Sequence, residues 1–358
     1  MRAIAGPAVL SVVVALCLVA CGANDDVVAP EQRYPQALDQ HVDPAWLERA
    51  RVDLSATSYP RCLLVERNGV LVMEEYFNGS AASEFYDVRS VTKSVTSILI
   101  GIALDAGLIH DLDQTIGDYL DFPEIKANVR RISLRDLLTM TSGLPWREIG
   151  STEQDYSEWV GSPDPLLWIL TKPLEHAPGT YWHYNTGASH IPSAILTVAT
   201  GQSALAFSEG RLFGPLESEV GGWPADPRGY NYGGHGIRLQ GRTLVKLGRL
   251  YLDGGVYHGQ RIVPASWVRE SVVPRNPVTN DGVTWATGYG YFWWTGQDAA
   301  TGLSYYLAVG YGGQFIVDVP SANAVIVATT AWYGVPDADG NFSGVLRAIV
   351  HDILPSLG

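Results

Sequence analysis

The stretch Val88-Arg89-Ser90-Val91-Thr92-Lys93-Ser94 opens the most apolar helix that the sequence predicts, which runs from Ser90 to about Ala106. Ser90 and Lys93 are three positions apart, so a helix places both side chains on one face. A serine hydroxyl is a poor nucleophile until a base takes its proton, and a buried neutral lysine is such a base. The pattern therefore predicts a nucleophilic serine paired with a lysine. The alternative is a helix-capping serine beside a lysine that reaches solvent.

Two later segments carry further candidate residues. Pro178 to Gly187 contains Tyr184, which we interpret as a phenol of lowered pKa that passes a proton to a leaving group, although a packed aromatic is the simpler reading. The segment Gly310-Tyr311-Gly312-Gly313-Gln314 lies between two predicted strands, and its glycines allow the backbone to approach a ligand closely. A backbone N–H there would join that of Ser90 in an oxyanion hole. A plain glycine-rich hairpin is the alternative.

Strands are predicted near both ends of the chain. Residues 62–77 form two apolar runs around Asn68-Gly69, a hairpin signal, and aromatic and β-branched runs return at 289–295, 304–309, 314–319 and 324–330. The block between them is mainly helical, with a capping box at Ser133 and Asp136, and a last helix is predicted over 343–353. We therefore expect an α/β domain over 44–358, with a core built from 44–107 and 287–358 and a helical insertion over 108–286.

The first 21 residues are expected to be an export signal. An apolar run over 8–20 follows Arg2 and ends in Leu18-Val19-Ala20-Cys21, which resembles the lipobox of bacterial lipoproteins. The interpretation predicts an exported protein that is lipid-anchored through Cys21 to the bacterial cell membrane or envelope, with residues 22–43 as a polar tether. An ordinary signal peptide is the alternative.

Composition excludes several other classes of protein. The chain has 358 residues and a net charge of −13, which argues against a nucleic-acid partner. Beyond the first twenty-odd residues no apolar run reaches membrane-spanning length. Cys62 is the one cysteine after Cys21, and we expect it to be a buried small hydrophobe. The eight histidines form no metal-binding motif, and no metal or organic cofactor is implied.

The order of these motifs resembles the serine β-lactamase and penicillin-binding-protein superfamily, and most closely its class C-like branch, which includes esterases, D-amino peptidases and 6-aminohexanoate-dimer hydrolases. The stretches 132–144, 212–216 and 250–268 support the resemblance, which covers about residues 60–335. It implies a β-lactamase-like α/β fold, with an antiparallel sheet flanked by helices and a mainly α-helical inserted subdomain.

The resemblance also implies roles for individual residues. Ser90 would be the acylated nucleophile, Lys93 its proton acceptor and Tyr184 the tyrosine of a Tyr-x-Asn element. Tyr311 would add its backbone N–H to that of Ser90 in the oxyanion hole. The residues expected to contact substrate are Asn185, Gly310, Gly312 and Gly313.

The chain departs from the superfamily pattern at two places. Thr186 stands where the lactamases usually have Asn, and Ala308-Val309-Gly310 stands where they have Lys-Thr-Gly. The missing cation normally holds a substrate carboxylate, so we expect an uncharged small ester or amide substrate. A β-lactamase, a D-peptidase and a non-hydrolytic penicillin-recognising sensor are the alternatives. Aromatic residues flank the motifs and would line an acyl pocket or pack in the core: Tyr86, Trp182, Trp293, Trp294 and Trp332.

Overall fold

A computed structural model describes residues 28–57, 59–148, 154–278 and 285–358. Its centre is an eight-stranded antiparallel sheet in the order β2-β1-β12-β11-β10-β9-β8-β7, and two two-stranded ribbons pair β3 with β4 and β5 with β6. The strands are β1 (Pro60–Arg67), β2 (Val70–Tyr76), β3 (Tyr86–Asp87), β4 (Arg238–Leu239), β5 (Val256–Tyr257), β6 (Gln260–Arg261), β7 (Asn276–Pro277), β8 (Gly288–Tyr289), β9 (Trp294–Gln297), β10 (Ser304–Gly310), β11 (Gln314–Val319) and β12 (Ala324–Thr330).

Helices precede the sheet, follow it and fill the long connection between β3 and β7. The α-helices are α1 (Pro30–Arg33), α2 (Pro44–Ser55), α3 (Val91–Asp105), α4 (Ile116–Tyr119), α5 (Ala127–Arg130), α6 (Leu134–Leu138), α7 (Gln154–Val160), α8 (Pro165–Leu170), α9 (Ile191–Thr200), α10 (Ala204–Ser208), α11 (Gly241–Leu252), α12 (Ala265–Ser271), α13 (Ala338–Ala348) and α14 (Leu354–Ser356). Short 3₁₀ turns span Leu38–Gln40, Ala188–His190 and Pro320–Ala322, and π-helical turns span Glu209–Phe213 and Ile349–Ile353.

The central strands are buried on both faces. Every residue of β11 and β12 is buried, as expected when helices cover a sheet on two sides. Both α3 and α11 pack on this part of the sheet. The β1–β2 hairpin turns at Asn68 and Gly69, with φ angles of +55° and +81°, which suit a two-residue turn of the Asn-Gly type. The predicted hairpin is therefore confirmed.

The helix that carries Ser90 is also confirmed. Thirteen residues of α3 are buried, so the helix is enclosed by protein on nearly all sides. The capping box at Ser133 and Asp136 begins α6, although this helix ends at Leu138. The run predicted as one strand over 289–295 is instead divided between β8 and β9, and the last long helix begins five residues earlier than expected, at Ala338.

Two predicted boundaries are wrong. The segment expected to be a polar tether is folded from Pro30 onward, and Tyr34 and Ala37 are buried in the core. The predicted insertion also contributes to the core, because α11 packs against β11 and β12 and β7 extends the sheet. In both cases apolar side chains make long-range contacts that local composition does not reveal.

The predicted export signal and Cys21 lie outside the described residues. Within the described ranges, none of the helices combines the length and apolar character that crossing a membrane requires.

Candidate active site

Ser90 and Lys93 lie at the first turn of α3. The Nζ atom of Lys93 lies 2.8 Å from Oγ of Ser90, and the lysine side chain is only 1% exposed. The same nitrogen donates to Oγ1 of Thr186 at 3.0 Å and to the carbonyl oxygen of Gly234 at 2.9 Å. Ser90 occupies the N-cap position, but its side chain makes no capping hydrogen bond in α3. The alternative of a capping serine beside a solvated lysine is therefore wrong.

The charge state of Lys93 is set mainly by its burial. Desolvation lowers the pKa of Lys93 to about 7; the carboxylate of Glu148 opposes this shift and the guanidinium of Arg89 adds to it. A lysine with a pKa near neutrality exchanges a proton with a serine far more readily than an exposed lysine does. The site thus holds a serine hydroxyl in direct contact with a lysine whose pKa is close to neutrality.

Tyr184 lies close to both Ser90 and Lys93. Its ring centroid is 4.7 Å from Nζ of Lys93, the ring stacks on Trp294 with centroids 5.4 Å apart, and interaction with the Ser90 side chain acts to lower the phenol pKa. The lowered phenol pKa expected from the sequence is wrong. Burial, reinforced by the charge of Glu148, raises the pKa of Tyr184 above its ordinary value. Tyr184 is therefore a neutral phenol with a proton to give.

Glu148 is a member of the site that the sequence analysis missed. Thr186 accepts a hydrogen bond from Lys93 and donates one to Oε1 of Glu148 at 2.9 Å. Trp146 donates its indole N–H to Oε2 of the same carboxylate at 2.6 Å. Thr186 was noticed only as a departure from the superfamily pattern. No sequence pattern pointed to Glu148, because its hydrogen bond with Thr186 depends on the fold and not on sequence spacing.

Arg89 places a cation next to the nucleophile. This residue has a left-handed backbone with φ of +48°; its guanidinium donates to the Tyr156 hydroxyl at 3.0 Å and lies 4.1 Å from the Trp332 ring centroid. Its Nε is buried with no hydrogen-bond partner among the described residues. Burial lowers the pKa of His235, and the charge of Arg89 lowers it further, so this imidazole is neutral. The one feature of the sequence that could have pointed to Arg89 as a member of the site is that it directly precedes Ser90.

The glycine-rich turn joins β10 to β11 close to the nucleophile. A Cβ atom on Gly310 would lie 2.3 Å from the carbonyl oxygen of Val88 and 3.1 Å from Cβ of Arg89, so the end of β10 touches the backbone that leads into α3. Gly312 and Gly313 have φ angles of +79° and +105°, which the turn itself requires. The turn thus brings the backbone of Tyr311 to the neighbourhood of Ser90. Gly312 and Gly313 allow the backbone angles that this turn needs.

Asn185 has a structural role in place of the substrate contact expected for it. Its side chain is 1% exposed, its Nδ2 donates to the Leu144 carbonyl at 3.2 Å, and its Oδ1 accepts from the Ala188 backbone at 2.7 Å. Both ends of the amide therefore hold the loop that carries Tyr184.

The flanking aromatic residues divide into two groups. Trp294 contacts Tyr184, Trp182 contacts Trp294 with ring centroids 5.9 Å apart, and Trp332 lies over Arg89, so these three pack on residues of the candidate site or next to them. Trp293 is fully buried against Tyr251 and belongs to the core. Tyr86 is buried and bonds to Ser80 through its hydroxyl at 2.7 Å.

The described residues contain no group of three or more His, Cys, Asp or Glu side chains placed to hold a metal ion. Cys62 is fully buried, and desolvation raises the pKa of its thiol to about 12, which confirms that it is a small core residue with no thiolate chemistry.

Comparison with known proteins identifies the class. The beta-lactamase family model matches residues 39–348, and the chain belongs to this family. The chain is a hydrolase of the class C-like branch, with the α/β fold that the motifs predicted.

Individual proteins of known name or structure share between 16% and 27% of their residues with the chain. A 6-aminohexanoate-dimer hydrolase from Paenarthrobacter ureafaciens is 27% identical, over 82% of this chain and 78% of the relative. A candidate beta-lactamase from Bacteroides dorei has a TM-score of 0.71 at 18% identity and covers 88% of this chain and 99% of its own. A D-stereospecific amidohydrolase from Streptomyces has a TM-score of 0.63 at 16% identity, with coverages of 86% and 97%.

Proposed function

We propose that the protein hydrolyses an ester or amide bond of a small acyl compound through a covalent acyl-enzyme on Ser90. The observation that carries this proposal is the 2.8 Å contact between Oγ of Ser90 and Nζ of Lys93, in which burial brings the pKa of the lysine to about 7. A buried cation with no catalytic purpose would cost stability, whereas a neutral lysine can accept the proton of the neighbouring serine and so activate the serine as a nucleophile.

The first half of the reaction forms the acyl-enzyme. Lys93 takes the proton of the Ser90 hydroxyl as Oγ bonds to the substrate carbonyl carbon, and the carbonyl oxygen becomes an oxyanion. The backbone N–H groups of Ser90 and Tyr311 would donate to that oxyanion. Tyr184 gives its phenolic proton to the leaving alcohol or amine as the carbon–heteroatom bond breaks, and Lys93 returns a proton to the phenolate.

The second half releases the acid. A water molecule loses a proton to the same Lys93–Tyr184 pair and attacks the acyl carbon; the ester bond to Oγ then breaks and Ser90 regains its proton. Names of relatives support a hydrolytic outcome, since a 6-aminohexanoate-dimer hydrolase and a D-stereospecific amidohydrolase are among them. Both names also favour an amide among the possible substrates.

One observation favours a second candidate, an amide substrate that carries a carboxylate, such as a β-lactam or a D-peptide. Sequence analysis disfavoured such substrates because the Lys-Thr-Gly cation is absent. Arg89 supplies a cation beside Ser90, with a buried Nε that has no partner among the described residues. A guanidinium is well suited to binding a carboxylate. A penicillin-recognising sensor would differ in forming the acyl-enzyme once without turnover.

We also propose that the protein is exported and lipid-anchored at Cys21, on the strength of the Leu18-Val19-Ala20-Cys21 sequence after an apolar run. Metabolic labelling with an alkyne fatty acid would attach the label to the native chain and leave Cys21→Ser unlabelled. A labelled Cys21→Ser variant would contradict this assignment.

The experiment that tests the hydrolase proposal compares turnover of p-nitrophenyl butyrate by the native protein and by Ser90→Ala. Ser97→Ala is the matched control, since Ser97 lies in the same helix and its buried hydroxyl has no hydrogen-bond partner in the described structure. We expect turnover in the native protein and in Ser97→Ala and none in Ser90→Ala. Equal activity in all three would remove Ser90 from the mechanism.

A further inference from the structure

A directed chain of hydrogen bonds leads from the catalytic base to a carboxylate that the superfamily motifs do not contain. Lys93 donates to Thr186, Thr186 donates to Glu148, and both contacts are between 2.9 and 3.0 Å. Their direction follows from chemistry. A carboxylate only accepts hydrogen bonds, so the single proton of the Thr186 hydroxyl points at Glu148. The threonine oxygen then faces Lys93 as an acceptor.

The neighbours of Lys93 determine where its lone pair points. A neutral amine has two N–H bonds and one lone pair. The carbonyl oxygen of Gly234, 2.9 Å from Nζ, can only accept and takes one N–H. Thr186, held as an acceptor by Glu148, takes the other. The lone pair is left for Ser90, the third neighbour, at 2.8 Å.

We propose that Glu148 is a positioning residue that acts through the Thr186 hydroxyl to aim the lone pair of neutral Lys93 at the Ser90 proton. This inference rests on the proposed Ser90 acyl-enzyme. When Lys93 takes the serine proton, its three N–H bonds already face three oxygen atoms. Proton transfer therefore needs no rearrangement of the side chain, which is the condition for efficient general base catalysis.

The surroundings of Glu148 predict what its amide analogue would do. Trp146 donates to Oε2 at 2.6 Å, so in Glu148→Gln the amide oxygen stays on the indole side and the NH₂ group faces Thr186. The threonine oxygen would then accept from the amide, and its own proton would turn toward the lone pair of Lys93. The base would be occupied by Thr186 instead of Ser90. The substitution keeps the size of the side chain and reverses the hydrogen-bond chain.

Glu148 also contributes charge. The titratable groups that act electrostatically on Lys93 or contact it are Glu148, Arg89, Tyr184 and His235, of which Glu148 is the one carboxylate. Its charge raises the pKa of Lys93 against the effect of burial. Replacement by glutamine removes that effect, so the pKa of Lys93 falls and the acidic limb of the activity profile moves to lower pH.

The test is the pH dependence of kcat/KM for p-nitrophenyl butyrate in Glu148→Gln, Thr186→Val, the double variant and Thr186→Ser, with thermal unfolding of each. Glu148→Gln should lower the plateau at least about tenfold, a part of the roughly 10²–10⁴-fold that general base catalysis contributes, and should move the acidic limb downward. Thr186→Val removes the hydroxyl that connects Glu148 to Lys93, so the plateau of the double variant should match that of Thr186→Val within about twofold. Thr186→Ser keeps the hydroxyl and should recover most of the activity lost in Thr186→Val.

Two controls keep the outcomes separate. Glu124→Gln makes the same change at an exposed position and should leave the profile unchanged. Ser90→Ala reports on the proposed function: if it keeps turnover, the acyl-enzyme proposal fails. If Ser90→Ala is inactive but Glu148→Gln keeps the native plateau, or the two plateau losses multiply in the double variant, the positioning role of Glu148 is overturned and the hydrolase proposal stands.

Discussion

Lys93 donates a hydrogen bond of 2.9 Å to the carbonyl oxygen of Gly234, a residue 141 positions further along the chain. Gly234 can lie this close because it has no side chain: a Cβ atom there would be 2.4 Å from Oγ of Ser189 and 2.9 Å from the Thr186 carbonyl. The contact ties the buried helix α3 to a loop that precedes β4. One fixed acceptor of this kind holds the base in place whatever its protonation state.

The pH profile of the native enzyme should report the protonation of Lys93. Because the lysine must be neutral to accept the serine proton, kcat/KM is low when Lys93 is charged and rises as pH increases through the lysine pKa of about 7. Rates measured between about pH 5 and 9 should therefore climb to a plateau on the alkaline side. A profile that is flat across neutrality, or that falls there, would contradict a lysine base.

Tyr184→Phe should slow the reaction while the fold is retained. The substitution removes the hydroxyl that interacts with Ser90 but keeps the ring that stacks on Trp294. Loss of a proton donor typically costs about 10²-fold or more in kcat, and we expect thermal stability close to that of the native protein. Tyr289→Phe is the matched control, since this buried ring lies 6.4 Å from that of Tyr184, and it should retain activity. Equal losses in the two variants would argue for packing as the role of Tyr184.

Gly310→Ala should disturb the junction between β10 and the nucleophile. The new Cβ would clash with the Val88 carbonyl at 2.3 Å and with Gln314 Cβ at 2.9 Å. Overpacking of this kind costs about 1–3 kcal/mol, so we expect a lower unfolding temperature together with reduced kcat. Gly210→Ala is the control, because a Cβ there meets no atom within 4 Å. A Gly310→Ala protein with native stability and kcat would show that this close approach is dispensable.

Arg89→Gln should discriminate between charged and uncharged acyl groups. Mono-p-nitrophenyl succinate carries a carboxylate that p-nitrophenyl butyrate lacks, and a charge-assisted hydrogen bond is worth about 1.5–3 kcal/mol. We expect kcat/KM for the succinate ester to fall by at least about tenfold and that for the butyrate ester by no more than about twofold. Arg131→Gln, at an exposed arginine, should affect neither. Equal effects of Arg89→Gln on both esters would dismiss Arg89 as a carboxylate-binding residue.

Features that depend on local sequence were predictable. The Asn68-Gly69 hairpin, the capping box before α6 and the Ser90–Lys93 pair all follow from fixed spacings, and the structure confirms each of them. The order of the motifs carried the resemblance to a known family, and that resemblance implied an antiparallel sheet flanked by helices. The predicted bounds of β10, β11 and β12 were close to the observed ones because these strands are mainly apolar runs.

Features that depend on contacts distant in sequence were not predictable. Glu148 reaches Lys93 only through Thr186, and no spacing rule connects these three residues. The pKa of Tyr184 was expected to be lowered, whereas burial of the phenol, which the sequence does not reveal, raises it. The segment from Pro30 was expected to be a tether, since its few apolar side chains gain their significance only when packed on the core.

The central claim is that the acyl group of the substrate is bonded to Ser90 during turnover. Rapid acid quenching of the native protein with p-nitrophenyl butyrate, followed by intact mass measurement and peptide mapping, tests it most directly. We predict a transient butyryl adduct on the peptide that contains Ser90, absent from Ser90→Ala. Turnover without any adduct, or an adduct on a different residue, would contradict the account.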